Sequence, residues 1–342
     1  MSERRRILIA TDAWHPQVNG VVRTLDTTVN LLRSWCHTVE VVEPSAYPQL
    51  AVPFYPEIQL ALTWPRQVYR RVTAFRPDHV HISTEGPLGQ QVRRLCRSRG
   101  WNFTTSYHTR FPEYLHKLAG VPEAWGYRAL RRFHNAAAGM MVATPSLERE
   151  LSARGFTAPI RRWSRGVDLS TFRPRERVET PWPRPVQLYV GRVSAEKNIE
   201  AFLRLDTPGT KVVVGDGPAR LDLERRHLAA QFLGVRSGDV LGEVYAAADV
   251  FVFPSRTDTF GLVIVEALAS GVPVAAYPVT GPIDIVTRPE LGALNDDLGA
   301  AIRVALATGD RAACVAEASK YTWERCTRQF LANLEFLTSG GA

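Results

Sequence analysis

Apolar and polar positions fall into repeating blocks along the chain. RILIATD, residues 6–12, is a short apolar run ending in polar residues and reads as a first strand. A helix follows from about Gly20 to Ser34, then a strand at Thr38–Val42. The same alternation gives a helix at Arg66–Phe75, a strand at His79–Ile82, a helix at Pro87–Arg99 and a strand at Phe103–Ser106. Tyr127–Ala138 reads as a helix, Gly139–Ala143 as a strand and Pro145–Arg154 as a helix. Thr171–Pro185 holds four prolines among charges and reads as an extended linker. The pattern then restarts, with strands at Val186–Val190, Lys211–Val214, Asp249–Pro254 and Val272–Ala276, and helices at Asn198–Leu205 and Ala219–Ala229. A last helix in this series carries Leu262, Val263, Ile264, Val265, Ala267, Leu268 and Ala269, apolar all round, with Glu266 its only charge. Such a helix is buried rather than surface-lying. Strands alternating with helices predict an α/β fold, a parallel sheet covered on both faces. The restart predicts two such halves, 1–180 and 181–320. Ligands of open α/β sheets bind beyond the carboxyl ends of the strands, so two facing halves would form a cleft.

Composition narrows the class. At 342 residues the chain has room for about two domains. No apolar run approaches the ~20 residues of a membrane span. Ile7–Ala10 is too short for the core of a signal peptide. Cys36, Cys96, Cys314 and Cys326 show neither pairing nor metal spacing, which points to a reducing cytoplasm. Charge is uneven. Residues 1–180 carry 26 Lys+Arg against 15 Asp+Glu, net +11, whereas 181–342 carry 16 against 19, net −3. Arginines cluster at Arg66, Arg70, Arg71 and Arg76, at Arg93, Arg94, Arg97 and Arg99, and at Arg128, Arg131 and Arg132. Trp64, Tyr69 and Phe75 interleave with the first cluster, and Trp125, Tyr127 and Phe133 with the last. Basic faces with aromatics suit an anionic membrane surface or nucleic acid; a solvated face is the plainer reading.

Candidate chemistry sits at the carboxyl ends of predicted strands. Neither a dinucleotide fingerprint nor a phosphate loop of the G-x-x-x-x-G-K-[ST] type is present. Thr11–Val21 is a long loop opening a helix, where Gly20 permits close backbone approach and the helix start favours anions. Gly191–Asn198 places Arg192 and Lys197 about a turn that starts a helix, either a diphosphate site or two surface cations. Asp258, Thr259, Phe260, Gly261 and Leu262 lead into the apolar helix, where backbone N–H groups can receive a phosphate or a sugar hydroxyl. Glu266 lies about five residues further in, roughly 8 Å along a helix. Carboxylates accept hydrogen bonds from vicinal diols, so Glu266 suits a ribose and Asp258 a transferred sugar. The alternative for Glu266 is a buried carboxylate paired with an arginine or capping backbone. His108, in Ser106–Arg110, is either a cleft residue or a structural one. If the ligand is a nucleotide, its base would be read around Gly215–Pro218 and Phe232–Arg236, mainly through backbone. No spacing suits a metal, and Asp296–Asp297 reads as the acidic start of a helix.

These motifs together resemble the retaining glycosyltransferases of the GT-B fold, family 4. The likeness rests on TDAWHPQVNGVVRTL, STEGPLG, SYHTRFPEYL, RGVDLSTFRP, GRVSAEKNI, VGDGP, YAAADVFVFPS and TDTFGLVIVEALASGVPVAA. The family pattern is E-x7-E; here Asp258 takes the first position, one methylene shorter. The resemblance implies two Rossmann-like domains facing across a cleft, with 321–342 a terminal helix crossing back to the first. It implies donor diphosphate on Arg192 and Lys197 and close to Gly20, ribose on Glu266, sugar and phosphate on Asp258 and Thr259–Leu262, and His108 beside the reacting sugar. No metal or cofactor is implied, because protein cations neutralise the leaving group. The implied reaction moves a hexose from a nucleoside-diphosphate sugar, with retention, to a hydroxyl acceptor. VPFYPEIQLAL and TDAWHPQVNGV look most like bacterial enzymes that glycosylate diacylglycerol or phosphatidylinositol. That implies a lipid acceptor and a cytoplasmic protein peripheral to the inner face of the cell membrane. Alternatives are a soluble or polysaccharide acceptor, a nucleotide-sugar epimerase, or a basic nucleic-acid-binding protein.

Overall fold

A computed structural model describes residues 3–52, 55–176 and 180–339 of the chain. Residues 53–54 of VPFYPEIQLAL and 177–179 of the predicted linker lie outside the described residues. The chain divides into two compact units, Met1–Ser164 with Trp323–Ala342, and Arg165–Thr322.

The first unit runs β1 (Arg6–Ala10), α1 (Gly20–Ser34), β2 (Thr38–Val42), β3 (Gln49–Val52), β4 (Tyr55–Ala61), α2 (Pro65–Phe75), β5 (His79–Ile82) and α3 (Pro87–Arg99). It continues with β6 (Thr104–Ser106), α4 (Phe111–Ala119), α5 (Glu123–His134), β7 (Gly139–Val142), α6 (Pro145–Ala153) and β8 (Ile160–Arg162). Its sheet has the order β2-β1-β5-β6-β7-β8, all parallel, with β3–β4 a separate antiparallel hairpin. The strands are apolar because both faces are covered; Ile7, Leu8, Ile9 and Ala10 are all fully buried.

The second unit runs β9 (Val186–Val190), α7 (Ile199–Leu203), β10 (Thr210–Val214), α8 (Arg220–Arg226), β11 (Gln231–Gly234), α9 (Gly238–Ala247) and β12 (Val250–Phe253). It closes with α10 (Leu262–Ala269), β13 (Val274–Ala276), α11 (Pro282–Ile285), β14 (Gly292–Leu294), α12 (Leu298–Thr308) and α13 (Arg311–Ala318). The order β11-β10-β9-β12-β13-β14 is again wholly parallel. The last helix, α14 (Trp323–Ser339), belongs to the first unit. Its Phe330 is fully buried, 4.6 Å from the ring of Trp163 and 4.9 Å from that of His81.

The expected alternation of strand and helix is present in both halves, and local chemistry explains the shifted boundaries. The helix expected at Tyr127–Ala138 is α5, which starts earlier, at Glu123, and ends at His134; Asn135 is its C-cap, and Asn135 Oδ1 accepts from the Thr157 N–H at 2.9 Å. Asn198 adopts a left-handed conformation, φ 54°, so the helix expected at Asn198–Leu205 becomes a 3-10 turn at Ala195–Lys197 followed by α7. The segment after Arg165 folds with the second unit well before residue 180. Asp168 accepts from the Ser170 N–H at 2.9 Å, Phe172 packs edge-on against Tyr245 at 5.5 Å, and Arg175 pairs with Asp239 of α9 at 2.7 Å.

A buried ion network ties α4, α5 and α6. Arg110 holds both oxygens of Glu150, at 2.8 and 2.5 Å, and Glu113 at 3.1 Å; the Tyr127 hydroxyl donates to Glu113 at 2.6 Å. Burial raises the pKa of Glu150, yet its bonds to Arg110 outweigh that and hold it below the usual 4.5. A depressed carboxylate stabilises fully above its unfolded pKa and loses that contribution as pH falls through its folded one. Glu150→Gln should therefore cost about 1.5–3 kcal/mol at neutral pH. The gap from wild type in urea melts should shrink as pH drops below 4.5; a pH-independent gap would refute the assignment. Phe330→Ala should cost about 3–5 kcal/mol in the same melts.

Candidate functional site

In the second unit the strand order reverses direction between β9 and β12, which places the crevice for a ligand beyond the carboxyl ends of those two neighbours. The loops leaving both strands meet there. Lys197, from the loop after β9, donates from Nζ to Asp258 Oδ1 at 2.6 Å, with both side chains about four-fifths buried. Asn198 Nδ2 donates to the carbonyl of Pro254 at 3.1 Å and so fastens the same two loops. An ammonium has three donors, so Lys197 can hold Asp258 and an anion together. Arg192 lies 3.7 Å from Glu196, and its carbonyl accepts from the Tyr189 hydroxyl at 2.7 Å. Burial pushes the Tyr189 phenol's pKa up, which keeps it a donor; Lys197 opposes the shift and Asp258 adds to it.

Gly261 precedes α10 at φ 88° and, as a glycine, has no side chain of its own to cap the helix. The Ile264 N–H of the first turn donates to the Gly261 carbonyl at 3.0 Å, and the helix dipole favours negative charge at this end. Thr259 and Phe260 are buried, whereas Gly261 and Leu262 are partly exposed. The Phe260 carbonyl sits so close to Gly281 that a Cβ there would fall 2.7 Å from it. Gly215 approaches the loop after β9 from β10, where a Cβ would meet the Gly191 carbonyl at 1.9 Å. Its glycine is required by this backbone contact, at φ 130°, whatever it touches in a ligand.

Glu266 is 3% exposed, inside α10. Its Oε2 accepts from the Tyr245 hydroxyl of α9 at 3.0 Å. Neither an arginine nor a helix cap supplies this bond; a tyrosine 21 residues upstream does, and sequence spacing carries no sign of it.

The first unit holds the remaining candidates. Gly20 is exposed at the start of α1, but Asn19 Oδ1 accepts from Val21 N and Val22 N, both at 3.0 Å. The start of α3 is filled in the same way. Asp12, buried, accepts from Leu88 N at 2.9 Å, Gly89 N at 3.4 Å and the Thr84 hydroxyl at 2.8 Å. Burial outweighs these bonds and raises its pKa. His108 is 9% exposed, with Nε2 2.9 Å from Ser83 Oγ and 3.0 Å from Ser106 Oγ. The arginine clusters divide by role. Arg71 pairs with Glu40 at 2.7 Å, Arg93 donates to the Phe133 carbonyl at 3.1 Å and Arg131 to that of Arg154 at 2.7 Å. Arg66, Arg70, Arg94, Arg97 and Arg128 are exposed, as are Trp64 and Trp125. Among the described residues no group of three or more His, Cys, Asp or Glu side chains is placed to hold a metal, and no helix is long and apolar enough to cross a membrane.

Two parallel-sheet α/β units of this kind recur in solved GT-B structures. Sucrose-phosphate synthase from Thermosynechococcus elongatus superposes with a TM-score of 0.78 at 18% identity, covering 99% of this chain and 100% of that one. Anabaena HepE, solved with UDP-glucose, gives 0.70 at 17%, covering 97% and 100%. The fold is therefore that of a GT-B glycosyltransferase. In sequence, the family description Glycosyltransferase Family 4 matches residues 18–171, and Glycosyl transferases group 1 matches 184–308. A GDP-mannose-dependent alpha-mannosyltransferase of Mycobacterium tuberculosis is 31% identical over 84% of this chain and 83% of its own length. The sulfoquinovosyl transferase SQD2 of Arabidopsis thaliana is 32% identical over 70% of this chain, but the match spans only 50% of that protein. Alpha-monoglucosyldiacylglycerol synthase of Streptococcus pneumoniae is 27% identical over 89% of this chain and 79% of its own length. The chain belongs to glycosyltransferase family 4. It is a glycosyltransferase that takes its sugar from a nucleotide-sugar donor.

A nucleotide that binds the folded protein stabilises it by about 2.7 kcal/mol at 100 times its dissociation constant. A thermal-shift panel of UDP, GDP and ADP should therefore single out one base by a rise of several degrees. Equal response to all three, or to none, would remove the base selectivity expected of the loops at Gly215–Pro218 and Phe232–Arg236.

Proposed function

We propose that the protein is a retaining, metal-independent hexosyltransferase whose acceptor is a hydroxyl of a membrane lipid of the diacylglycerol or phosphatidylinositol type. The observation that carries the donor half is the Lys197–Asp258 pair, held at 2.6 Å four residues ahead of Leu262, where α10 starts. It sets a cation and a carboxylate beside the positive end of a helix. In this reading Lys197 and Arg192 bind the diphosphate and stabilise the negative charge that develops as the glycosidic bond breaks. Asp258 and the backbone of Thr259–Leu262 take the sugar hydroxyls and phosphate, while Glu266, oriented by Tyr245, takes the ribose diol. The departing phosphate accepts the proton of the acceptor hydroxyl on the face it leaves, so configuration is retained without a protein nucleophile. On the first unit, His108 serves the transfer step. Two fixed cations give the charge neutralisation that a metal would otherwise supply.

Two features support a lipid acceptor at the inner face of the cell membrane. One is the net +11 of residues 1–180 together with exposed Trp64, Trp125, Arg66, Arg70 and Arg128. The other is similarity to alpha-monoglucosyldiacylglycerol synthase and to a phosphatidylinositol dimannoside mannosyltransferase of Mycobacterium tuberculosis, 29% identical over 79% of this chain.

Asp258→Ala should lower turnover about 100-fold, the order lost when a reacting group is misplaced by about 1 Å, with nucleotide affinity changed less than threefold. Glu266→Ala should chiefly weaken nucleotide binding. Equal loss of nucleotide affinity in both variants, by calorimetry, would overturn that division. For the acceptor, the purified protein should pellet with vesicles containing anionic lipid at physiological salt and glycosylate lipid in them, with EDTA leaving the rate unchanged. Transfer only to soluble acceptors without vesicle binding would refute the lipid assignment.

A further inference from the structure

Cations also gather at the amino edge of the first sheet. Arg6 opens β1 and so stands at the amino end of the strands, whereas His108 follows the carboxyl end of β6. Beside Arg6 lies a cavity of about 590 Å³. Its lining is Arg6, Arg70, Thr73, Ala74 and Arg76, with no acidic side chain among them.

The Arg6 guanidinium is fixed. Its Nε donates to the carbonyls of Phe75 at 2.9 Å and Arg76 at 3.1 Å, and Nη2 donates to Phe75 as well. The group also lies 4.8 Å from the centre of the Phe75 ring. A cation thus covers the last carbonyls of α2, the negative end of that helix, and Nη1 takes no part in these bonds. Asp78 is engaged elsewhere, since its Oδ2 accepts from the Arg6 backbone N–H at 2.7 Å. The Thr73 hydroxyl donates back to the Tyr69 carbonyl at 2.7 Å. Arg70 and Arg76 are exposed, and among the described residues neither guanidinium has a hydrogen-bond or ion-pair partner. Ala74 follows Arg70 by four residues on α2, on the same face, and its methyl leaves the cavity unfilled.

Arg76 also has an unusual backbone. It is the C-cap of α2 at φ 51° and ψ 64°, a left-handed conformation that costs free energy in any residue with a Cβ. The helices α3 and α4 end in the same conformation on glycine, Gly100 at φ 66° and Gly120 at φ 65°. Glycine would suit the end of α2 better, yet an arginine stands there. Strain of this sort points to a use for the side chain that causes it.

We propose that this cavity binds a phosphate group, held by Arg70 and Arg76 beside the fixed Arg6. Planar guanidiniums match phosphate oxygens in pairs, and three cations without an acid in the lining suit a dianion. The phosphate is either free in solution or the headgroup of a phosphomonoester lipid. The site is separate from the donor site of the second unit and does not depend on what the acceptor is.

The test is NMR of the whole chain labelled on arginine side-chain nitrogen. The Arg70 and Arg76 Nε signals are assigned by their loss in Arg70→Gln and Arg76→Gly. Inorganic phosphate at constant ionic strength should move both signals together, with half-saturation at about 1 mM or below. Ala74→Glu adds a carboxylate to the lining and should weaken this at least about tenfold. Arg76→Gly should weaken the Arg70 response about tenfold while raising the melting temperature of the ligand-free protein, because the left-handed strain is gone. A variant that melts higher and binds worse does not owe its loss to misfolding. Pelleting with vesicles containing phosphatidic acid separates the two sources. A headgroup ligand predicts binding about tenfold weaker for Arg76→Gly than for Arg99→Gln, an equal loss of charge at the end of α3. Equal pelleting of those two variants assigns the site to soluble phosphate. Signals that drift without saturating, or an Arg76→Gly that binds phosphate like wild type or melts lower, overturn the proposal.

Discussion

Everything proposed for the donor depends on the neighbour relation of β9 and β12 in the second sheet. The sheet grows from β9 toward β10 and β11 on one side, then restarts from β9 toward β12 on the other. At that reversal the two crossovers leave in opposite directions and cannot cover the strand ends between them. The loop bearing Lys197 and the loop bearing Asp258 are 61 residues apart in sequence and meet only because of it. Their ion pair is the chemical expression of a topological fact. Neither charge is fully exposed, so the attraction is less screened than at a surface, and it fixes an orientation as much as it adds stability.

The two units have similar architecture, and within each the helix starts are treated in different ways. In the first, the N-termini of α1 and α3 are filled by Asn19 and Asp12, the latter a buried carboxylate on the N–H groups of Leu88 and Gly89. A carboxylate in that position occupies the place an external anion would take. In the second, the N-cap of α10 is Gly261, which has no side chain of its own to cap with. N-cap residues that make no side-chain bond occur in both units, as at α2, α4 and α5 of the first, while Asp297 and Asp310 cap α12 and α13 of the second. The first unit's sequence is the basic one. Its arginines are spent partly on carbonyls and carboxylates of their own unit and partly on a solvent-facing surface.

Periodicity made the fold legible because both sheets are parallel and buried, so each strand appears as an unbroken apolar run such as Ile7–Ala10 or Val250–Phe253. Its failures have local causes. SYHTRFPEYL was legible as a motif but not as the start of α4, since Pro112 and a mixed polar pattern hide the helix. The linker reading of residues 171–185 missed that Phe172 and Arg175 anchor this segment on α9. At the site, residue types and loop positions were legible for Arg192, Lys197, Asp258 and Glu266. Pairings were not. Nothing in one sequence says that Tyr245 will satisfy Glu266, or that His108 will lie beside Ser83 and Ser106, because those contacts are set by how the elements pack.

Asp258 brings these strands together. The family pattern has a glutamate there, one methylene longer, so this acid has less reach. The structure instead shows the carboxylate anchored at 2.6 Å to Lys197, a side chain long enough to close the difference from the other loop. Aspartate has one fewer rotatable bond to immobilise than glutamate, so the ordering cost of that contact is lower. The loss of reach is met by a flexible partner, and the gain is a carboxylate whose position is fixed from two sides, by its own backbone ahead of Gly261 and by Lys197.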